Sequence, residues 1–188
     1  MNVSKTSLPG VLLLEPRVFA DARGFFLETW HQERYREYGL PVHFVQDNLS
    51  YSSHATLRGL HFQSPHAQGK LVYVVQGAVF DVAVDIRVGS PTFGRSYGVV
   101  LSSENKRQLY IPEGFAHGFC VTSENAVVMY KCTDFYAPSA EGGVLWNDPD
   151  LAIRWPVHVP TLSDKDHCYP PLREIPADRL PRYDKEGV

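Results

Sequence analysis

The chain has 188 residues, 44% of them hydrophobic, with 18 basic and 21 acidic side chains for a formal charge of −3. The hydrophobic content excludes a disordered chain, and the length fits one domain with at most a small appendage. The near-neutral charge excludes broad attraction to nucleic acid or an anionic membrane, so an anionic ligand must be held by a local cluster of Arg and Lys.

In chain order, the longest apolar run near the start, Val11-Leu12-Leu13-Leu14, is too short for an export signal or a spanning helix. Strand-like runs follow over Val11–Phe19 and Gly24–Trp30, then a helical stretch over His31–Tyr38 stopped by Gly39 and Pro41. Further strand-like runs are Val42–Val45, Leu57–Phe62, Lys70–Val75, Val79–Ile86 and Tyr97–Leu101. Gln108–Ile111, Phe115–Val121 and Ala126–Tyr136 complete the set, with a second helical turn near Ala177–Leu180. The run Phe80-Asp81-Val82-Ala83-Val84-Asp85-Ile86 is the clearest, with apolar residues on one face and Asp81, Ala83 and Asp85 on the other. Turn signals such as Gln76-Gly77 and Gly89-Ser90-Pro91 separate the strands.

So many short strands predict an all-β fold, an antiparallel jelly-roll barrel with a few short helices, in one domain spanning 1–188. From about Pro156 the prolines thicken, as in an ordered tail that wraps the domain. The three cysteines, Cys120, Cys132 and Cys168, are odd in number and form no C-x-x-C pair. They read as ordinary thiols in a reducing, cytoplasmic compartment.

Three segments send polar groups toward an interior cavity. In Leu57-Arg58-Gly59-Leu60-His61-Phe62-Gln63, Arg58 and His61 have opposite parity, so both can face one cavity only through a bulge, for which Gly59 is the site. His61 emerges between Leu60 and Phe62, as a neutral base or as a core histidine bonded to backbone. Pro112-Glu113-Gly114-Phe115-Ala116-His117 carries the P-x-G-x-x-H spacing of the second cupin motif, whose histidine is commonly a metal ligand. The first cupin motif would need H-x-H and a carboxylate, where this chain has His61-Phe62-Gln63 and then Lys70, so no metal is expected. On the third segment Tyr130, Cys132 and Asp134 share a face, and a phenol there is either a proton donor or a structural tyrosine.

Read together, the motifs resemble the dTDP-4-dehydrorhamnose 3,5-epimerase family of metal-free cupins, nearly end to end. They are Asp21-Ala22-Arg23-Gly24-Phe25-Phe26, Phe44-Val45-Gln46-Asp47-Asn48, Leu57 to Gln63, Phe80 to Arg87, Pro112 to Phe119 and Gly143-Val144-Leu145-Trp146-Asn147-Asp148-Pro149. The resemblance implies a 4-keto-6-deoxyhexose on thymidine diphosphate as substrate, epimerised through an enolate with no cofactor. It implies His61 as base, Asp166 as its partner, Tyr130 as acid, and Lys70 with His117 at the C4 oxygen. It places Arg23, Glu28, Gln46, Asp47, Asn48, Arg58, Glu141 and Lys165 on the nucleotide and diphosphate, and Tyr136 under the thymine. Phe135, which alternation turns away from Tyr130, reads as packing. The family also implies a homodimer in which the N-terminal segment extends a partner's sheet. An epimerase acting on C3 alone, a non-catalytic nucleotide-sugar-binding cupin and a metal-dependent oxygenase are the alternatives.

Overall fold

The computed structural model describes residues 1–41 and 43–184. Its strands are β1 (Asn2–Lys5), β2 (Leu12–Glu15), β3 (Val18–Asp21) and β4 (Gly24–Leu27), followed by helix α1 (Gln32–Arg36). Then come β5 (Gln46–Ser53), β6 (Leu57–Gln63), β7 (Lys70–Gln76), β8 (Ala78–Asp85), β9 (Ser96–Ser102) and β10 (Gln108–Ile111). β11 (Phe115–Val121), β12 (Asn125–Cys132), β13 (Glu141–Gly143) and helix α2 (Asp164–Cys168) complete the order. One sheet has the order β1-β2-β10-β7-β12-β5, a second β13-β6-β11-β8-β9, and β3 and β4 form a separate hairpin. Every paired strand is antiparallel.

Alternation explains how the layers stack. Val72, Val74, Leu109 and Val128 of the larger sheet meet Val79, Ala83, Phe115 and Phe119 of the smaller one in a common core. The opposite parity of the larger sheet, Leu14, Leu71 and Tyr110, packs against Tyr35 of α1. The opposite parity of β8, Val82 and Val84 with Ile86 beyond it, is covered by Val144, Leu151, Leu172 and Leu180 from the C-terminal chain. Burial on both faces is why that strand is almost continuously apolar. The result is the antiparallel jelly roll of the cupin kind.

Several boundaries differ from the sequence expectation. Pro16 splits Val11–Phe19 into β2 and β3, which belong to different sheets. Of the run Val42–Val45, residue 42 lies outside the described residues, and the next strand begins only at Gln46. β12 stops at Cys132, leaving residues 133–137 irregular. Ala177–Leu180 is a turn without helix, while α2, which was not anticipated, forms in the tail under a Ser163 cap whose Oγ accepts from Asp166 N–H.

Candidate active site

A cavity of about 400 Å³ opens between the two sheets. β6 and β11 form its first wall. His61 lies opposite His117, yet Arg58 lies opposite Phe119, so β6 contains one more residue than its partner over this stretch. The extra residue is accommodated at Gly59, whose φ of +123° suits glycine and where a Cβ would meet Gly118 Cα at 2.6 Å. This bulge lets Arg58 and His61 line the same cavity despite their opposite parity.

Two imidazole–carboxylate pairs stand on this wall. His61 Nε2–H donates to Asp166 Oδ1 at 2.5 Å, and Asp166 is almost fully buried as the third residue of its capped helix. A carboxylate can only accept, so Nε2 carries the hydrogen and Nδ1 is the basic nitrogen of His61. Burial pushes the Asp166 carboxyl up, but bonds from His61, Ser163 and Gly59 outweigh it and hold it below the usual range. The ring of Tyr169 sits edge-on to His61 at 5.8 Å between centroids. His117 Nε2–H is shared by both oxygens of the buried Asp81 at 3.0 Å each.

The facing wall comes from the larger sheet. Lys70 opens β7 opposite Cys132. Burial pushes its ammonium below the ordinary lysine range, against the attraction of Cys132, Asp81 and Glu141. Among the described residues no carboxylate lies within ion-pair distance of it. Tyr130, between Asn48 and Val72 in register, lines the same space, and burial raises its phenol so that it stays protonated at neutral pH. Gln46, Asn48 and Ser50 enter from alternate positions of β5. Ser50 Oγ is buried with no hydrogen-bond partner among the described residues, leaving a hydroxyl available to a ligand.

At the mouth, Lys165 Nζ donates to Glu141 Oε1 at 2.6 Å and Tyr136 Oη donates to Glu141 Oε2 at 3.2 Å. Burial opposes the Glu141 carboxylate, but Lys165, together with the Tyr136 bond and the nearby His61, outweighs it and holds the carboxyl below its usual range. Arg58 Nε donates to Ser52 Oγ at 3.0 Å.

The structure therefore gathers His61, Tyr130, Asp166, Lys70, Gln46, Asn48, Arg58, His117, Tyr136, Glu141 and Lys165 around one cavity. Three expected site residues lie elsewhere in this chain. Arg23 sits on the exposed β3–β4 turn paired with Asp21, Glu28 pairs with Arg34 of α1, and Asp47 accepts from Lys131 Nζ at 2.8 and 3.0 Å. Phe135 is exposed and does not pack into the core. Ser50, Gln63, Gln68 and Asp81 were not singled out from sequence. Asp81 was visible only as the polar parity of β8, because its pairing with His117 spans 36 positions. Among the described residues no three His, Cys, Asp or Glu side chains converge as a metal ion would require.

The family model described as dTDP-4-dehydrorhamnose 3,5-epimerase matches residues 5–174. A Shigella flexneri protein named dTDP-4-dehydrorhamnose 3,5-epimerase is 60% identical over 168 residues, covering 88% of this chain and 93% of that one. A Legionella pneumophila dTDP-6-deoxy-D-glucose-3,5-epimerase, solved in complex with dTDP-4-keto-L-rhamnose, superposes with a TM-score of 0.95 at 52% identity, covering 97% of this chain and 98% of that one. A 3′-monoepimerase from Streptomyces bikiniensis, in complex with dTDP-quinovose, gives a TM-score of 0.88 at 37% identity, over 95% and 92% of the two chains. A match of this extent, over a chain whose cavity holds paired proton-transfer groups, means that this protein belongs to the dTDP-4-dehydrorhamnose 3,5-epimerase family.

Proposed function

We propose that the protein is a dTDP-4-dehydrorhamnose 3,5-epimerase, an isomerase that converts dTDP-4-keto-6-deoxy-D-glucose to dTDP-4-keto-L-rhamnose in dTDP-L-rhamnose biosynthesis. The observation that carries this reading is one cavity holding an imidazole whose second nitrogen is basic, a neutral phenol and an ammonium with no ion-pair partner among the described residues.

The C4 ketone acidifies the C–H bonds at C3 and C5. His61 Nδ1 takes a proton, and Asp166 stabilises the imidazolium that results. Negative charge moves to the C4 oxygen, where Lys70 is the donor and His117 stands beside it; a preset donor at such an oxyanion is typically worth about 3–4 kcal/mol. Tyr130 returns a proton from the opposite face, which inverts the carbon. Arg58 and Lys165, with Gln46, Asn48 and Glu141, hold the diphosphate and nucleoside, and the thymine stacks on Tyr136. All of these steps are proton transfers, so the chemistry calls for no redox cofactor.

The active form is a cytoplasmic homodimer in this reading. Phe19, Phe25 and Phe26 of the β3–β4 hairpin and Leu49 and Tyr51 of β5 are exposed apolar side chains, which support a covering partner. Arg23 and Glu28 then reach the partner's cavity. Three unpaired thiols agree with a reducing compartment.

His61→Ala tests the chemistry. Turnover should vanish while binding of dTDP, measured by calorimetry, stays close to that of the parent. Unchanged turnover would contradict the assignment of the base.

A further inference from the structure

Beyond Cys132 the chain leaves the sheet, and the backbone of residues 134–137 has no strand partner. Three glutamine side chains from other parts of the molecule take that place. Gln68 Nε2 donates to the Asp134 carbonyl at 2.8 Å, and Gln46 Oε1 accepts from Tyr136 N–H at 2.8 Å. Gln63, at the end of β6, makes two such bonds: Nε2 donates to the Phe135 carbonyl at 3.3 Å and Oε1 accepts from Ala137 N–H at 2.9 Å. It thus holds the carbonyl before Tyr136 and the N–H after it. Its other amide hydrogen is donated to the His66 carbonyl at 2.6 Å, so the group is fully engaged inside the protein. Gln63 is 6% exposed, whereas the Tyr136 it brackets is 51% exposed at the cavity mouth.

We propose that Gln63 is a positioning residue that presets the Tyr136 ring and thereby sets nucleotide affinity, without touching the reacting carbons. This rests on the reading of Tyr136 as the surface on which the nucleobase stacks. A ring on an irregular segment stacks well only if its backbone is already ordered, because ordering at the moment of binding opposes affinity. A primary amide is the side-chain group that offers donor and acceptor in one plane. A carboxylate at position 63 would set an oxygen against the carbonyls of His66 and Phe135, and a methionine of similar length would supply neither bond. Gln46 belongs to the same device, since its Nε2 donates to Asn48 Oδ1 at 3.0 Å while its Oε1 serves Tyr136.

The test compares the full-length parent with Gln63→Met, Tyr136→Ala and the double variant, using inhibition by dTDP and by inorganic pyrophosphate, which has no base to stack. Gln63→Met should weaken dTDP inhibition and raise KM by about five- to tenfold, within the range of one stacked base, with kcat within about twofold. Pyrophosphate inhibition should not change, and the double variant should be no worse than Tyr136→Ala alone. Additive losses, a normal dTDP affinity in Gln63→Met, or a parallel loss of pyrophosphate affinity would each overturn the role of Gln63 while leaving the stacking reading in place. A normal dTDP affinity in Tyr136→Ala would instead overturn the stacking reading, and this inference with it. If Gln63→Met does not fold, Gln68→Ala frees only the Asp134 carbonyl and should show a smaller loss with the same selectivity; no loss there overturns the proposal.

Discussion

Lys70 enters the cavity at a site where attraction from Cys132, Asp81 and Glu141 does not make up for lost hydration. A cation kept there works against the stability of the fold that carries it. Lys70→Met should therefore raise thermal stability, by roughly 0.5–2 kcal/mol, while cutting turnover by about 10²–10³-fold. A melt and a progress curve on the same preparation check both, and a destabilised variant would mean that Lys70 serves the fold instead. Tyr130 shows the complementary case, in which burial keeps a phenol neutral and able to donate. Removing that donor in Tyr130→Phe should slow epimerisation by about 10²-fold or more, with a melting curve close to the parent's. Residue chemistry was the part most readable from sequence: His61, Arg58 and Tyr130 stood out as polar groups on strands whose neighbours are apolar. Asp81 and Ser50 did not, because a lone acid or hydroxyl on a strand looks like a solvated face until its long-range partner is known.

Among the elements, β6 depends on its bulge most directly. Gly59→Ala places a methyl within 2.6 Å of Gly118 Cα in a backbone conformation that disfavours side chains. A loss of roughly 1–3 kcal/mol in a denaturant melt is expected, together with a fall in activity as His61 loses its register with His117. The conflict of parity between Arg58 and His61 revealed this bulge in advance. β5 was missed for a reason that is itself functional. Its inward residues Asn48, Ser50 and Ser52 are polar, facing the cavity or Arg58, and its outward residues Leu49 and Tyr51 are exposed and apolar. The usual pattern is inverted, so the alternation that marks a half-buried strand is not legible past Asn48. α2 has five residues, too few for a periodic signal, and its Ser163 cap lies among prolines. The tail carrying α2 is tied down by carboxylates. Asp166 and Glu141 titrate lower in the folded protein than in the unfolded chain, so their contribution is complete above the unfolded carboxylate range of about pH 4 to 4.5. It is lost as pH falls through the lower folded values. Stability should fall with acid over that window, and Asp166→Asn should flatten the dependence; an identical acid limb in the variant would contradict it.

For the molecule as a whole, the cavity is assembled from both sheets and the tail, so no contiguous segment contains the site. The double-sheet architecture was readable because β7, β8, β11 and β12 alternate or run apolar over seven or eight residues. The covering of the smaller sheet by the C-terminal chain appeared only as thickened prolines. Arg23 and Glu28 remain outside the cavity of their own chain, and the homodimer reading gives them to the partner's site. Mixing inactive His61→Ala with weakened Arg23→Ala under conditions that exchange subunits should then restore activity, because one site of the mixed dimer has both residues. Activity no higher than the sum of the two separate preparations would mean that Arg23 does not complete the partner's site. The central claim is that His61 and Tyr130 exchange protons at the two carbons beside a ketone. Its most direct test is incubation of the protein with dTDP-4-keto-6-deoxyglucose in D₂O, followed by NMR location of the label. Deuterium at both C3 and C5 of an inverted product is the predicted result; label at C3 alone would make the protein a monoepimerase, and no label at either carbon would contradict the account.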